Sequence, residues 1–326
     1  MTTLTATKPN IAELVTRWGS SAAISVLDPN CEIFSIPEVD GVIGYRSNSG
    51  CNVVYGEPVA SPDDYEQLIK AFHKFSESQN RSVIYLTTTP KFTKWAMNNV
   101  CGSLIEIGNE LIVDPQNDPS VGAKGRIIRK KMYQSEKAGV KVFEYIPKNK
   151  EIEAQIEQVK ETWVKNQKGP QVIASEANPF LTHHGRRWFY AMQNGKMVGA
   201  LVLSQLGFHD GWLVYLLMIT PDAPSGTSER MMMSAIEALR KEGCRFLSLG
   251  VSPSKELGQI VGIGKASSWI ARKVFKTATK FFDLHGAREY WLKFQPSAIP
   301  SSIMFSVSQL GLKEILGIIR AFNGKM

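Results

Sequence analysis

Asn194-Gly195 lies between two short apolar runs, residues 190–193 and 197–205. A two-residue hairpin turn needs positive φ at both central positions, which Asn and Gly adopt at little cost, so these runs must pair antiparallel. A third run, residues 212–220, continues the meander. It is followed by a helical stretch, residues 227–241, with Met231, Met232, Ile236 and Leu239 on one stripe and Gly243 as its stop, and then by a strand at 244–251.

The first half of the chain repeats this order. Residues 41–45, 52–56, 82–87 and 105–113 read as strands. Between the second and third, Ser61 is an N-cap candidate with Pro62 at the first helical position, and Leu68, Ile69, Phe72 and Phe75 share one face. A further helix is predicted near residues 91–99. Meander, helix, strand is the core order of the acetyltransferase-like (GNAT) fold, and its recurrence predicts an α/β (α+β) protein of two tandem GNAT lobes. Each lobe would be a mixed, mostly antiparallel sheet flanked by helices. The repeat is one of topology, without residue-level similarity. Between the lobes lie residues 122–141 and a helix over about 148–168, with Ile152, Ile156, Val159 and Trp163 on one stripe. The boundary falls near residue 146, giving lobes 1–146 and 147–326.

A chain of 326 residues has room for two such cores. Its 38 Lys and Arg against 30 Asp and Glu leave a net charge of +8, which favours polyanionic partners such as nucleic acid or acidic membrane. Cys31, Cys51, Cys101 and Cys244 are far apart and form no Cys-x-x-Cys pair, which speaks against a zinc knuckle or redox motif and fits a reduced, cytoplasmic compartment. Residues 1–10 lack the apolar core of a signal peptide. The longest apolar stretch, 212–219, is far short of the roughly 20 residues that span a bilayer, so membrane contact would be peripheral.

The turn before the helix at 227 is the first place to look for chemistry. Coenzyme-A acetyltransferases carry Gln/Arg-x-x-Gly-x-Gly/Ala there, so that backbone N–H groups cradle a pyrophosphate. Residues 221–229, Pro-Asp-Ala-Pro-Ser-Gly-Thr-Ser-Glu, lack that pattern, and the literal match Gln259-x-x-Gly262-x-Gly264 follows the next strand instead of preceding that helix. In place of the glycines stand two carboxylates, Asp222 and Glu229, which could hold an α-ammonium group. A turn-forming Asp and a Glu complementing the helix dipole account for the same residues.

Two stretches are basic. Residues 124–141 hold seven Lys or Arg, among them Arg126, Arg129, Lys130 and Lys131, against one acid, Glu136. Residues 255–293 hold eight against three acids, with Arg272, Lys273, Lys276 and Lys280 at helical spacing among Ile270, Val274 and Phe275. A phosphate backbone suits such faces, although a solvated basic face reads identically. His183-His184 are adjacent, which is poor metal-ligand spacing, and no nucleophile-elbow or Cys–His signature is present; neither a metal nor a covalent mechanism is expected. The final segment, 302–322, has Leu312, Ile315, Leu316, Ile319 and Phe322 beside Lys313 and Arg320, the make-up of an interfacial helix that docks on a bilayer or of one that closes the second lobe.

Taken together, the chain resembles the catalytic domain of the aminoacyl-tRNA-dependent lipid aminoacyltransferases, the phosphatidylglycerol lysyltransferase family. The resemblance runs from about Trp18 to Pro296. It rests on Gly41-Val-Ile-Gly-Tyr-Arg46, Val54-Tyr-Gly-Glu-Pro58, the basic stretch ending Ser135-Glu-Lys-Ala-Gly139, Asp222-Ala-Pro-Ser-Gly-Thr227, Leu249-Gly250 and residues 288–296 around Lys293-Phe294. Lys168-Gly-Pro-Gln171, Ser175-Glu176 and residues 183–190 look closer to the fungal branch that aminoacylates sterols. The resemblance implies a doubled GNAT-like fold, a charged tRNA as donor, phosphatidylglycerol or a sterol as acceptor, no cofactor and no protein partner. It makes Asp222, Glu229, Arg288 and Lys293 active-site candidates and sets Arg126, Arg129 and Lys130 against RNA. Tyr133-Gln134 stands where the family has a polar Asn-Arg pair, and Glu229 where it has Asp, which leaves the amino acid open. Two alternatives stay open: a coenzyme-A-dependent N-acyltransferase of the same fold, and a non-catalytic RNA- or membrane-tethering protein.

Overall fold

The computed structural model describes residues 10–166, 178–180, 182–281 and 284–322. The first half runs α1 (Ile11–Trp18), β1 (Glu32–Phe34), β2 (Gly41–Asn48), β3 (Cys51–Tyr55), β4 (Val59–Ala60), α2 (Tyr65–Ser78), β5 (Ser82–Thr88), α3 (Pro90–Asn99), β6 (Ser103–Val113) and α4 (Arg126–Lys137). The second half continues with β7 (Lys141–Glu144), α5 (Lys150–Asn166), β8 (Arg186–Gln193), β9 (Lys196–Leu206), β10 (Gly211–Ile219) and α6 (Thr227–Lys241). It closes with β11 (Leu247–Pro253), β12 (Ile260–Val261), α7 (Lys265–Phe281), α8 (Leu284–Leu292), β13 (Ser297–Phe305) and α9 (Leu312–Phe322).

One mixed sheet runs through both halves in the order β1-β2-β3-β5-β13-β6-β11-β10-β9-β8-β7, with β12 added on β6 and β4 on β2. All its pairs are antiparallel except β3 with β5 and β10 with β11. Each parallel pair is spanned by one helical crossover, α2 in the first half and α6 in the second, so the doubled order expected from sequence is realised as a doubled crossover. At the β8–β9 turn, Asn194 and Gly195 have φ of 50° and 78°, the backbone that dipeptide was expected to supply.

The helices cover both faces. Leu68, Ile69 and Phe72 of α2 and Phe92 and Ala96 of α3 bury one face of the first half. On its other face Ala271 and Phe275 of α7 and Ile318 of α9 pack over Ile105 and Ile303. Against the strands of the second half, Ile128 of α4 (from the first half), the methionines of α6 and Tyr290 of α8 share one core, and Ile156 and Val159 of α5 another.

Two expectations are corrected. Residues 62–64 form a turn and α2 begins only at Tyr65, because Ser61 Oγ accepts from Asp63 N–H within that turn and the Tyr65 hydroxyl donates to Glu57 at 3.0 Å. The segment 302–322 is not one helix. Ile303 and Phe305 fall in the core under α7 while Met304 falls in that under α2, so the chain alternates between two buried faces, the pattern of a central strand. β13 accordingly inserts between β5 and β6, and α9 follows it onto the first half of the sheet instead of closing the second.

Candidate active site

The two parallel pairs differ in one respect that locates the site. β3 and β5 stay paired over five residues, from Cys51↔Ser82 to Tyr55↔Leu86. β10 and β11 pair only at Trp212↔Leu247 and Leu213↔Ser248, after which β10 bulges at Tyr215 and β11 shifts register between Ser248 and Val251, with Gly250 at φ 83°. Beyond Leu213 the strands part, and the seam opens beside the start of α6.

Glu229 lies in the first turn of α6 and is 3% exposed. Its Oε1 accepts from Lys293 Nζ in a largely buried ion pair, and its Oε2 accepts from Ser228 Oγ at 2.9 Å. Burial pushes the Glu229 carboxyl up, but the hydrogen bond and charge of Lys293 outweigh it and leave the group below the ordinary glutamate value. Lys293 directly follows α8, where Phe294, 1% exposed, anchors the turn in the core. Its ammonium stands 4.0 Å from the centre of the Tyr290 ring, a cation–π contact that further fixes it. Burial drives the Tyr290 hydroxyl well above its usual range, so it stays protonated beside Glu229.

Of the sequence candidates, Glu229 and Lys293 are thus brought together. Arg288, on α8, reaches the Ser252 carbonyl of β11 at 3.4 Å and so lines the other bank of the seam. Asp222 points elsewhere: it is exposed and ion-paired with Lys196 of the hairpin. That hydrogen bond, with help from Thr220, holds its carboxyl at about 2. The turn itself is shaped by contact with α4. Gly226 has φ 92°, and a Cβ there would stand 2.0 Å from the Lys131 carbonyl oxygen.

The start of α6 is therefore unlike a pyrophosphate cradle. A buried carboxylate already compensates its positive end, and the carbonyl of Lys131 closes on Gly226. The literal glycine motif at 259–264 does precede a helix, α7, but Gly262 is used in packing: a Cβ there would meet the Gly102 oxygen at 2.1 Å.

The basic candidates divide. On α4, Arg126 and Lys130 are exposed, whereas Arg129 Nη1 donates to the Gly122 carbonyl at 2.8 Å and Lys131 Nζ to Ser225 Oγ at 2.7 Å. On α7, Arg272 Nη1 donates to the Leu257 carbonyl at 2.7 Å, Lys273 lies over the Trp269 ring and Lys276 is exposed. On α9, Leu312 and Leu316 are exposed and Ile315 is half-buried. The side chains of Lys280, Ile319 and Phe322 lie outside the described residues, as do residues 168–171, 175 and 176. Among the described residues no helix is long and apolar enough to cross a membrane.

A family model described as phosphatidylglycerol lysyltransferase, C-terminal, matches residues 12–305. The chain belongs to that family. The phosphatidylglycerol lysyltransferases of Staphylococcus aureus (strain MRSA252) and Staphylococcus haemolyticus (strain JCSC1435) are 19% and 18% identical to it over 89% and 90% of its length. Each match covers 35% of the relative, so the chain spans about a third of the curated relatives it matches. A putative lysylphosphatidylglycerol synthetase C-terminal domain (DUF2156) from Agrobacterium fabrum shares its fold with a TM-score of 0.78 at 17% identity, covering 95% of this chain and 93% of that one. L-PGS from Bacillus licheniformis does so with a TM-score of 0.78 at 15% identity, covering 97% of each chain.

In this member of the lysyltransferase family, two further carboxylates, Glu110 and Glu57, carry polar contacts inside the fold. Glu110 of β6 is 8% exposed and accepts from Ser248 Oγ of β11 at 2.6 Å. Glu57 accepts from Thr89 N–H at 2.6 Å and from the Tyr65 hydroxyl; burial pushes its carboxyl up against these bonds, and the charge of Glu110 adds to the push. The available signal for Glu110 was a pair of acids, Glu106 and Glu110, four residues apart in the strand 103–113, which alternation places on one face of the sheet.

Proposed function

We propose that the chain transfers an aminoacyl group from a charged tRNA to a lipid hydroxyl, acting at the seam between β10 and β11. The observation that carries this reading is the buried Glu229–Lys293 pair at the start of α6, where a coenzyme-A enzyme would leave free N–H groups for phosphate. An aminoacyl-tRNA ester is already activated. Transfer therefore needs orientation, loss of the acceptor's proton and stabilisation of a tetrahedral oxyanion, and no cofactor.

In this mechanism Glu229 fixes the substrate α-ammonium, taking it in place of the Lys293 ammonium that occupies its Oε1 in the free protein. Lys293, so released, and Arg288 face the ester, where a cation stabilises the developing oxyanion or the phosphate of the terminal adenosine. The lipid oxygen bonds to the carbonyl carbon, the bond to the ribose oxygen breaks, and the lipid's proton passes to that leaving oxygen. Arg126 and Lys130, exposed on α4 beside α6, supply positive charge for the tRNA backbone. Asp222 acts from outside the seam, by holding Lys196 and the turn. α9 presents Leu312, Ile315 and Leu316 for peripheral contact with the membrane that holds the acceptor, and the protein works from the cytoplasmic side. The sequence halves 1–146 and 147–326 serve as the two lobes, with β13 of the second inserted between β5 and β6 of the first.

The test is lipid extraction after expression, with mass analysis for lipids heavier by one aminoacyl residue. Purified chain, charged tRNA and phosphatidylglycerol or sterol vesicles then identify donor and acceptor. Tight acetyl-coenzyme-A binding with ribonuclease-resistant activity would overturn the reading in favour of an N-acyltransferase. RNA binding without transfer from any charged tRNA would leave only a tether.

A further inference from the structure

Arg186 and Arg187 are neighbours on β8 with opposite surroundings. Arg187 is ion-paired twice, with Glu144 at 2.8 Å and Glu242 at 2.7 Å. Arg186, on the other face, is only 7% exposed, and its Nη1 has no acceptor among the described residues. Its guanidinium lies 4.1 Å from the centre of the Tyr215 ring, and its only described electrostatic partner is that tyrosine. Asp28, whose charge reaches Tyr215, is already bound to Arg46. A guanidinium does not discharge in a protein, so a buried one without a counter-ion is a standing cost unless an anion arrives from outside.

Its position says where such an anion would sit. Cross-strand neighbours project on the same face of a sheet, and Arg186 stands opposite Ser204, which stands opposite Leu213, which stands opposite Ser248. Ser204 is 5% exposed and Ser248 0%, and Ser248 leads on to Glu110. A row of Arg186, Ser204 and Ser248, interrupted by Leu213, thus crosses a buried face and meets the seam at Leu213 and Tyr215, where β11 leaves β10. Glu229 belongs to α6, whose packing residues share a core with the opposite-facing Phe189 and Val214.

We propose that Arg186 binds the phosphodiester of an anionic glycerophospholipid acceptor, so that the acceptor is a phospholipid such as phosphatidylglycerol and not an uncharged sterol. This rests on the lipid-transfer reading for its purpose but not for its test. The guanidinium fork matches a phosphodiester with two parallel N–H donors. Held there, the headgroup would present its glycerol hydroxyl to the seam from the side opposite α6.

The full chain is titrated with dihexanoyl-phosphatidylglycerol, with dihexanoylglycerol and with inorganic phosphate, by calorimetry and by melting, alongside Arg186→Met and Arg186→Lys. The expected result is that the phospholipid binds and raises the wild-type midpoint, and that Arg186→Met weakens it at least about tenfold while Arg186→Lys recovers part of the loss. Dihexanoylglycerol should not distinguish the variants, and without ligand Arg186→Met should melt at or above the wild-type midpoint, because a buried charge has been removed. In transfer assays the KM for phosphatidylglycerol should rise by a similar factor, with kcat and the KM for charged tRNA little changed. The proposal is overturned if Arg186→Met binds the phospholipid as wild type does, if inorganic phosphate alone binds as tightly, or if the variant merely melts lower with an unchanged lipid KM. Arg186-dependent phospholipid binding with no transfer from any charged tRNA would instead sink the transfer reading and leave this one standing.

Discussion

Lys293 Nζ and Glu229 Oε1, 64 residues apart in the chain, form an ion pair that joins the end of α8 to the start of α6. Among the described residues no other ion pair at the seam combines two opposite charges with this degree of burial. Removing one partner strands the other in a poor solvent: without Lys293, burial would push the Glu229 carboxyl up against only the hydrogen bonds from Ser228 and from its own backbone N–H. Lys293→Ala is therefore expected to lose about 3 kcal/mol of stability near neutral pH. It should also lose transfer by about a hundredfold or more, the scale for deleting an oxyanion contact. Denaturant melts and single-turnover transfer measure the two effects. The double variant Glu229→Gln, Lys293→Met should regain stability without regaining transfer. A wild-type transfer rate in Lys293→Ala would remove Lys293 from the mechanism.

Gly226 is where the turn before α6 closes on the backbone of α4. Its φ of 92° is a region L side chains avoid, and an added Cβ would stand 2.0 Å from a backbone oxygen, which cannot swing aside as a side chain can. Gly226→Ala should destabilise the protein by about 2 kcal/mol or more and lower transfer with it, as α6 and Glu229 are displaced from Lys293. Gly243→Ala is the control. Its φ is 79° but a Cβ there meets nothing within 4 Å, so only the backbone cost of about 1 kcal/mol remains. Equal melting midpoints for the two variants would show that the contact with Lys131 carries no weight.

Much of this architecture was legible because it is local. The Asn194-Gly195 turn, the α6 boundaries and the apolar faces of α2 and α5 follow from neighbours within a few residues. β13 was not legible, since Ser297–Phe305 becomes a central strand only by meeting β5 and β6, about two hundred residues earlier. The same holds at the site. Glu229 was legible as a carboxylate at the start of a helix and Lys293 by resemblance, but their pairing, the diversion of Asp222 to Lys196 and the use of Arg129 in tying the 120–122 turn are tertiary facts. Glu110 and Arg186 were hidden because a charge inside an apolar strand has no local signature of what it faces.

The basic face of α4 gives a quantitative test of RNA contact. Arg126 and Lys130 are exposed, while Arg129 and Lys131 are engaged with protein groups. Each phosphate contact contributes somewhat under one unit to the slope of log K against log salt. Arg126→Ala with Lys130→Ala should therefore weaken charged-tRNA binding and flatten that slope by between about one and two units, with an unchanged melting midpoint. Arg129→Ala should instead lower the midpoint, because it releases the turn at 120–122. An unchanged slope in the double variant would place the RNA elsewhere.

His73 offers a pH handle on the first half of the fold. Burial lowers its pKa from 6.5 to about 4, and its Nε2 is paired with the Tyr85 hydroxyl at 3.0 Å. Because the folded value is below the unfolded one, the unfolded chain binds the extra proton first as pH falls. The stability it leaves is complete above about pH 6.5 and is lost progressively down to about pH 4, amounting to roughly 3 kcal/mol. His73→Gln, which keeps a polar partner for Tyr85, should flatten the stability profile in that window and leave it unchanged near pH 8. Parallel profiles for wild type and variant would show that His73 titrates normally.

On α9 the one carboxylate, Glu314, is turned inward. It is 1% exposed and accepts from Ser82 Oγ at 2.8 Å and from Gly311 N–H at 2.9 Å, whereas Leu312 is 79% exposed and Leu316 44%. The outer face therefore offers aliphatic side chains with Lys313 and Arg320 and no acid, which suits the boundary of an anionic bilayer. Placing each exposed leucine in that boundary is worth at most about 1.5–3 kcal/mol, so Leu312→Asp with Leu316→Asp should reduce sedimentation with phosphatidylglycerol vesicles by at least about tenfold. Because neither side chain is in the core, the melting midpoint should hold and transfer to dispersed short-chain lipid should persist, while transfer to vesicles falls. Vesicle binding equal to wild type would exclude α9 from the membrane contact, because two new carboxylates cannot enter an anionic surface without cost.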